Sequence, residues 1–87
     1  MTEQQIFEKL KSVLETTFEI DPDKISMESK LYSDLDIDSI DAVDMIVEIR
    51  PLLGKRKLNP NQFNQNTTVG DVVSAIKNLL EQPEDSI

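Results

Sequence analysis

Cysteine, histidine and tryptophan are all missing from the 87 residues of this chain. Without cysteine, the polypeptide can form neither a disulfide framework nor a thiolate nucleophile of its own. The lack of histidine removes the most common general base and the most common zinc ligand. We therefore expect no catalytic residue and no metal centre, and the sequence predicts that the protein is not an enzyme.

The chain also lacks a basic N-terminal leader and any apolar run long enough to cross a membrane. Acidic residues outnumber basic ones by 17 to 9, which gives a net charge of −8. This charge opposes binding to nucleic acid or to an anionic membrane and favours partners with basic surfaces. We predict a cytoplasmic protein that does not insert into membranes, with a single small domain over residues 1–82 and a mobile C-terminal tail over 83–87.

The most informative stretch runs from residue 34 to residue 49. Acids alternate with aliphatic residues up to Asp38, and helical spacing begins at Ser39. Asp38 is a favourable N-cap, and Asp41 is placed to complete a capping box. Ser39 then lies in the first turn, where side chains are usually exposed and free backbone N–H groups favour a phosphate oxygen. Because a serine at a helix start more often only caps the helix, the pair Asp-Ser alone leaves its role open.

The same acids resemble part of a calcium-binding loop. Asp34, Asp36 and Asp38 fall at its first, third and fifth positions. Ser39 and Met45 stand where such a loop requires glycine and glutamate. We therefore expect no EF-hand, only weak binding of divalent cations that relieves repulsion between the carboxylates.

The first part of the chain predicts an amphipathic helix followed by a long loop. Thr2 and Gln5 form a capping-box pattern, and the helix should end near Glu19, ahead of the turn-forming Pro22. The loop then runs to Asp38 without regular structure, which is unusual in a compact domain. The residues expected to face the core are Ile6, Leu10, Val13, Leu14 and Thr17, with Phe7 and Phe18 beside them, and Ile25, Met27, Leu31, Leu35 and Ile37 of the loop, with Tyr32 partly buried.

The central helix carries two apolar rows. The first row should face the core and comprises Ala42, Met45, Ile46, Ile49 and Leu53. The second row either widens this core stripe or forms an exposed patch on the side of Ser39. An exposed apolar patch bordered by acids suits transient docking, because charge steers the encounter and a little apolar area holds it. The residues of this candidate surface, called the acidic docking surface below, are Asp38, Ile40, Asp41, Val43, Asp44, Val47 and Glu48.

The charge changes sign after the central helix. Pro51 should kink or fray the helix, and Gly54 should end it. No acid occurs between Ile49 and Gly70. One interpretation of this basic segment is a solvated loop that offsets some of the negative charge. The other is a surface that binds an acidic partner. The basic residues of this interval are Arg50, Lys55, Arg56 and Lys57.

Two further helices are predicted in the last third. Pro60 suits the first turn of a short helix anchored by Phe63, and Thr68 with Asp71 forms a capping box for the last helix. This last helix should end at Gln82-Pro83. The prediction is therefore an all-α four-helix bundle, with three long helices, one short helix and a long loop between the first two. The apolar residues expected to pack inward are Leu58, Val69, Val72, Val73, Ile76, Leu79 and Leu80.

These features together resemble the acyl carrier protein family. The resemblance rests on Asp34-Leu35-x-x-Asp38-Ser39-Ile40-Asp41, on the apolar helix after it, and on Thr67-Thr68-Val69 opening another helix. In that family the serine of the Asp-Ser-Leu/Ile motif carries 4′-phosphopantetheine, and here that position is Ser39. The resemblance implies an acyl-carrier-like bundle that holds acyl intermediates as thioesters for fatty-acid or polyketide-type biosynthesis. It implies a monomer whose partners are a phosphopantetheinyl transferase and acyl-transferring and ketosynthase-type enzymes.

The chain departs from the family pattern at a few positions. Asp36 stands where many members have glycine, and Arg50 and Pro51 stand where acids are usual. In its basic segment the chain is more similar to carriers of specialised clusters, such as those for aryl polyenes or polyketides. Two alternatives stay open: an amino-acyl carrier of the D-alanyl or peptidyl type, and an acidic helical interaction module that is never modified.

Overall fold

In the part of the chain that the structure describes, the fold consists of three α-helices around one apolar core. A computed structural model describes residues 2–54, 56–59 and 62–81. The helices are α1 (Glu3–Thr17), α2 (Ser39–Leu53) and α3 (Val69–Glu81), and a short 3₁₀ turn covers Pro22–Lys24. The predicted all-α carrier architecture is therefore confirmed. No helix in these ranges has the length and apolar character needed to span a membrane.

Local hydrogen bonds set both ends of α1. The Thr2 hydroxyl accepts a bond from the Gln5 N–H at 3.1 Å, and the Gln5 side chain accepts one from the Thr2 N–H at 2.9 Å. This confirms the predicted capping box. Beyond the helix, Glu19 has a φ of 54°, and the Ile20 N–H donates to the Leu14 carbonyl at 3.2 Å. A left-handed residue at this place turns the chain back over the end of the helix.

The core draws on all three helices and on the loop between α1 and α2. Two predicted members do not belong to it. Thr17 is exposed because α1 ends at that residue, so the apolar stripe does not reach it. Met27 is 38% exposed, and its backbone oxygen accepts a hydrogen bond from the Gly70 N–H at the start of α3. The buried apolar residues are Ile6, Leu10, Val13, Leu14, Ile25, Leu31, Leu35, Ile37, Ala42, Met45, Ile46, Ile49, Leu53, Leu58, Val69, Val72, Val73 and Ile76.

Backbone hydrogen bonds tie the loop to the start of α3. Lys30 and Thr68 form an isolated antiparallel bridge. Gly70 approaches so closely that a Cβ there would lie 2.9 Å from the Met27 oxygen, so only glycine fits without a backbone shift. The three bonds, of 2.8 to 3.0 Å, run from Leu31 N–H to Thr67 O, from Val69 N–H to Ser29 O and from Gly70 N–H to Met27 O.

Ser29 holds the loop together from inside. It is one of the buried polar residues, at 8% exposure. Its hydroxyl donates to the Lys24 carbonyl at 2.6 Å and accepts from the Ser26 N–H at 3.0 Å. This role was not predicted, because a serine in an aperiodic loop carries no spacing signal.

The end of α2 and the start of α3 have the capping residues that the sequence predicts. Gly54, with a φ of 68°, ends α2 and donates its N–H to the Arg50 carbonyl at 3.1 Å. Pro51 was predicted to kink or fray the helix, but α2 continues through it to Leu53. Thr68 and Asp71 form the predicted capping box, with both bonds at 3.1 Å.

Some predictions fall on other parts of the chain. Pro60 at the start of the predicted short helix, Lys55 of the basic segment, the Gln82-Pro83 stop and the tail over 83–87 lie outside the described residues. Among the described residues of this region, the Gln62 N–H donates to the Asn59 carbonyl at 3.1 Å.

Candidate functional site

Ser39 is the first residue of α2, and its side chain is exposed. The preceding Asp38 is the N-cap: its carboxylate accepts a bond from the Asp41 N–H at 2.8 Å, and its carbonyl accepts one from the Ala42 N–H at 2.9 Å. The bond from the cap to Asp41 is the half of the predicted capping box that the structure shows. These two bonds fix the start of α2 and therefore the position of Ser39 in its first turn.

The start of α2 fits a phosphate linked to a side chain. The N–H groups of Ser39 and Ile40 precede the first intrahelical hydrogen bond, so they point out of the helix toward solvent. They also lie at the positive end of the helix dipole, which favours an anion. A hydroxyl at this position can carry a phosphodiester that stays in water, so no buried charge results.

The second apolar row of α2 is exposed and does not widen the core. Ile40 is 72% exposed, Val43 45% and Val47 46%. Asp44 and Glu48 are exposed beside them, with Asp38 at the helix start and Asp41 partly buried. The acidic docking surface thus forms a continuous patch on α2 that begins next to Ser39. The exposure of these aliphatic side chains beside carboxylates agrees with the second of the two interpretations of this row, an exposed patch on the side of Ser39.

A groove of about 390 Å³ opens beside the acidic docking surface. It lies where the end of α1, the long loop and the start of α2 meet. Its apolar walls come from residues that are distant in the sequence, and Asp34, Asp36 and Asp41 stand around them. Sequence reasoning missed this groove; the only available signal was the pair of apolar residues at the end of α1. The apolar wall residues are Phe18, Ile20, Leu35 and Ile37.

The acids of the loop are placed individually and do not converge on one point. In the described ranges, no group of three or more acidic side chains could hold a metal ion. Asp34 accepts a hydrogen bond from the Lys30 N–H at 2.8 Å, and Asp36 occupies a left-handed turn with a φ of 56°. Weak binding of divalent cations to this region therefore stays a prediction.

A small acidic helical domain of this form, with an exposed serine at the start of its central helix, has the organisation of a carrier domain for a covalently attached group. Comparison with protein families agrees with this class. The family model described as a phosphopantetheine attachment site matches residues 8–76 of the chain. The matched segment contains Ser39 and all of the acidic docking surface.

Similar proteins define the class further. The chain is 41% identical over 80 residues to "Acyl carrier protein 2" of Ralstonia nicotianae, which covers 92% of this chain and 98% of that protein. It is 36% identical over 80 residues to an acyl carrier protein of Coprothermobacter proteolyticus, with coverage of 92% and 96%. It is 38% identical over 77 residues to one of Lactobacillus acidophilus, with coverage of 88% and 95%.

The chain therefore belongs to the acyl carrier protein family. It carries acyl groups on a covalently attached 4′-phosphopantetheine, which confirms the prediction made from the sequence resemblance. It interacts with a phosphopantetheinyl transferase, which adds that group, and with enzymes that handle the acyl chain. The alternative of an acidic module that is never modified is not supported.

Proposed function

We propose that Ser39 is the residue to which 4′-phosphopantetheine is attached. The observation that carries this proposal is the exposed Ser39 hydroxyl at the first position of α2, directly after the N-cap Asp38. It lies within the segment matched by the family model. The attached arm supplies the thiol that the polypeptide lacks, and acyl groups are held on it as thioesters. The chain's own part is to fix the attachment point and to keep it in solvent.

The test compares two serine variants. Incubation with a phosphopantetheinyl transferase and coenzyme A should convert the wild type to a heavier form with a free thiol, measured by intact-protein mass spectrometry. Ser39→Ala should remain at its unmodified mass. Ser33→Ala removes an exposed hydroxyl from the preceding loop and should be modified as fully as the wild type.

Circular dichroism accompanies this test, because an unfolded variant would also escape modification. Both variants should melt close to the wild-type temperature, since neither hydroxyl is buried. Modification of a folded Ser39→Ala protein would show that another residue carries the group.

The acidic docking surface supports a role in recognising the partner enzymes. Its exposed Ile40, Val43 and Val47 offer apolar area, while its carboxylates attract a basic surface over a longer range. We propose that the transferase and ketosynthase-type enzymes bind here. Because the patch begins beside Ser39, an enzyme bound to it would have the proposed attachment point at the edge of the contact.

The remaining parts of the proposal concern cargo and context. We propose that the protein acts as a cytoplasmic monomer in fatty-acid or polyketide-type biosynthesis and catalyses no step itself, in keeping with a chain that has no histidine or cysteine. Mass spectrometry of the protein isolated from its own cells identifies the cargo, and it separates an acyl chain from an amino acid. Cell fractionation and light scattering check the location and the monomeric state.

A further inference from the structure

A second groove lies at the opposite end of α2 from Ser39. It has a volume of about 620 Å³ and runs between the last turns of α2 and the segment that follows. Leu53 lies about 20 Å along the helix from Ser39, at about 1.5 Å per residue. The groove is therefore distant from Ser39, and it begins at Ile46 and Arg50, beside the last residues of the acidic docking surface. The residues that line it are Ile46, Arg50, Leu53, Gly54, Arg56, Lys57 and Leu58.

This groove combines an apolar floor with a basic rim. Leu53 and Leu58 form the floor and are 1% and 6% exposed. Arg50 and Lys57 are exposed at the rim, and the Arg56 guanidinium donates to the Leu53 carbonyl at 3.3 Å. None of the described lining residues is acidic. On a protein with a net charge of −8, this is a local surface of the opposite sign.

One side of this groove is formed by the chain after its reversal at Gly54. Gly54 adopts a φ of 68°, a conformation that glycine reaches without strain. The reversal there lets Leu58 return to the core while Lys57 beside it stays in water. The groove thus combines Arg50 and Leu53 of α2 with Lys57 and Leu58 of the segment after the reversal.

We propose that this groove binds a segment of a partner protein in which an apolar side chain is flanked by carboxylates. The argument is charge complementarity, since the rim attracts carboxylates and the floor accepts an aliphatic or aromatic side chain. A second copy of this chain is disfavoured as the occupant, because its net charge of −8 repels an identical molecule.

The groove gives the carrier a second criterion for choosing its enzymes. This biological role rests on the proposed function, whereas binding to the groove does not. An enzyme with a uniformly basic surface matches the acidic docking surface but meets repulsion at the groove. An enzyme that presents bases near Ser39 and acids near Arg50 matches both, and mixed charge of this kind discriminates by repulsion as well as by attraction.

The test uses the full chain as the Ser39→Ala variant, so that its result does not depend on where the prosthetic group is attached. Two synthetic helical peptides serve as probes: both carry the same leucines, which are flanked by glutamates in one and by lysines in the other. Titration into ¹⁵N-labelled protein, followed by NMR, should give saturable shifts at Arg50, Leu53, Lys57 and Leu58 with the glutamate peptide. At these groove residues its Kd should be at least about fivefold lower than that of the lysine peptide, whose shifts should fall on the acidic docking surface.

Matched charge variants localise the effect. Arg50→Gln with Lys57→Gln should weaken binding of the glutamate peptide about fivefold or more. Lys9→Gln with Lys11→Gln removes the same charge from α1 and should leave the Kd unchanged. The difference between the two peptides should shrink with salt, because the screening length falls from about 30 Å at 0.01 M to about 10 Å at 0.1 M. Thermal melting of each variant confirms that it is folded.

Several outcomes would overturn the proposal. One is the absence of saturable binding of the glutamate peptide by folded protein. Another is equal affinity of the two peptides for the groove, and a third is that the glutamate peptide shifts only the acidic docking surface. Shifts at the groove with decanoate but not with the glutamate peptide would assign it to small anionic amphiphiles. Shifts at the groove that grow with protein concentration alone would assign it to a second copy of the chain.

Discussion

Among the described residues, two other than glycine adopt left-handed backbone conformations. They are Glu19, with a φ of 54°, and Asp36, with a φ of 56°. Many acyl carrier proteins have glycine where this chain has Asp36, and the backbone explains that preference, since glycine reaches this region without steric cost. Aspartate tolerates it better than most other residues. The departure at Asp36 therefore preserves the turn.

Glu19 has no such tolerance, and its replacement should stabilise the protein. A left-handed residue costs about 1–2 kcal/mol, and the extra freedom of glycine in the unfolded chain removes about 0.5–1 kcal/mol of the gain. We expect Glu19→Gly to raise the free energy of unfolding by about 0.5–1 kcal/mol, measured by urea denaturation.

The control makes the same substitution inside a helix. Glu15 lies in α1, where glycine should lower the free energy of unfolding by about 1 kcal/mol. Opposite signs for the two variants would attribute the effect to the backbone conformation and not to the loss of an acid. A loss of stability in Glu19→Gly would contradict the prediction.

For single residues, the sequence predicts the burial and hydrogen bonding of helical side chains better than those of loop side chains. The cap at Asp38 and the core positions of α2 follow from residue type and a period of 3.6, which apply wherever a helix forms. Met27 and Ser29 lie in a loop, where no period relates one side chain to the next. The burial of Ser29 and the exposure of Met27 depend on backbone contacts with Lys24 and Gly70, and those contacts exist only in the folded chain.

Among the elements, α2 has the most exposed apolar face. Its row of aliphatic side chains in water would be unfavourable in an isolated protein, and it is bordered by acids that a basic partner would approach. Removing two of those charges tests the steering role without changing side-chain size. We expect Asp44→Asn with Glu48→Gln to lower kcat/KM for the phosphopantetheinyl transferase by up to about tenfold at low salt.

The matched control lies on α1. Glu3→Gln with Glu8→Gln removes the same charge from exposed positions there and should change kcat/KM much less. The loss on α2 should fall mainly in KM and should diminish as salt is added, because screening weakens long-range attraction. Equal losses for the two double variants would mean that net charge alone, and not the acidic docking surface, controls recognition.

The element boundaries were largely predictable, whereas the grooves were not. α1 ends two residues before the predicted Glu19, and α2 starts at the predicted Ser39. The predicted fraying at Pro51 does not occur, because this residue lies close to the end of α2, where its missing N–H affects a single turn. A kink there stays a prediction. Each groove is lined by side chains from segments that only tertiary packing brings together, such as Phe18 with Leu35, and periodicity contains no such information.

At the scale of the molecule, uncompensated acidity opposes the folded state. Six carboxylates occur between Asp34 and Glu48, and like charges at this density repel one another while salt screens them. We expect millimolar magnesium or calcium, or added sodium chloride, to raise the Tm measured by circular dichroism by about 2–5 °C. The double variant Asp44→Asn with Glu48→Gln should show a smaller rise. A Tm insensitive to both kinds of salt would mean that these carboxylates are already compensated.

The order of charges along α2 has a mechanical consequence. Acids surround its first turns and Arg50 lies in its last turn, which opposes the helix macrodipole of about half an elementary charge at each end. Full side-chain charges outweigh those partial charges, so the helix has an electric moment whose negative pole is beside Ser39. In the field of a basic enzyme this moment produces a torque that rotates the carrier before the two surfaces touch. More collisions then begin with Ser39 facing the enzyme, and α2 contributes to the rate through alignment as well as through contact.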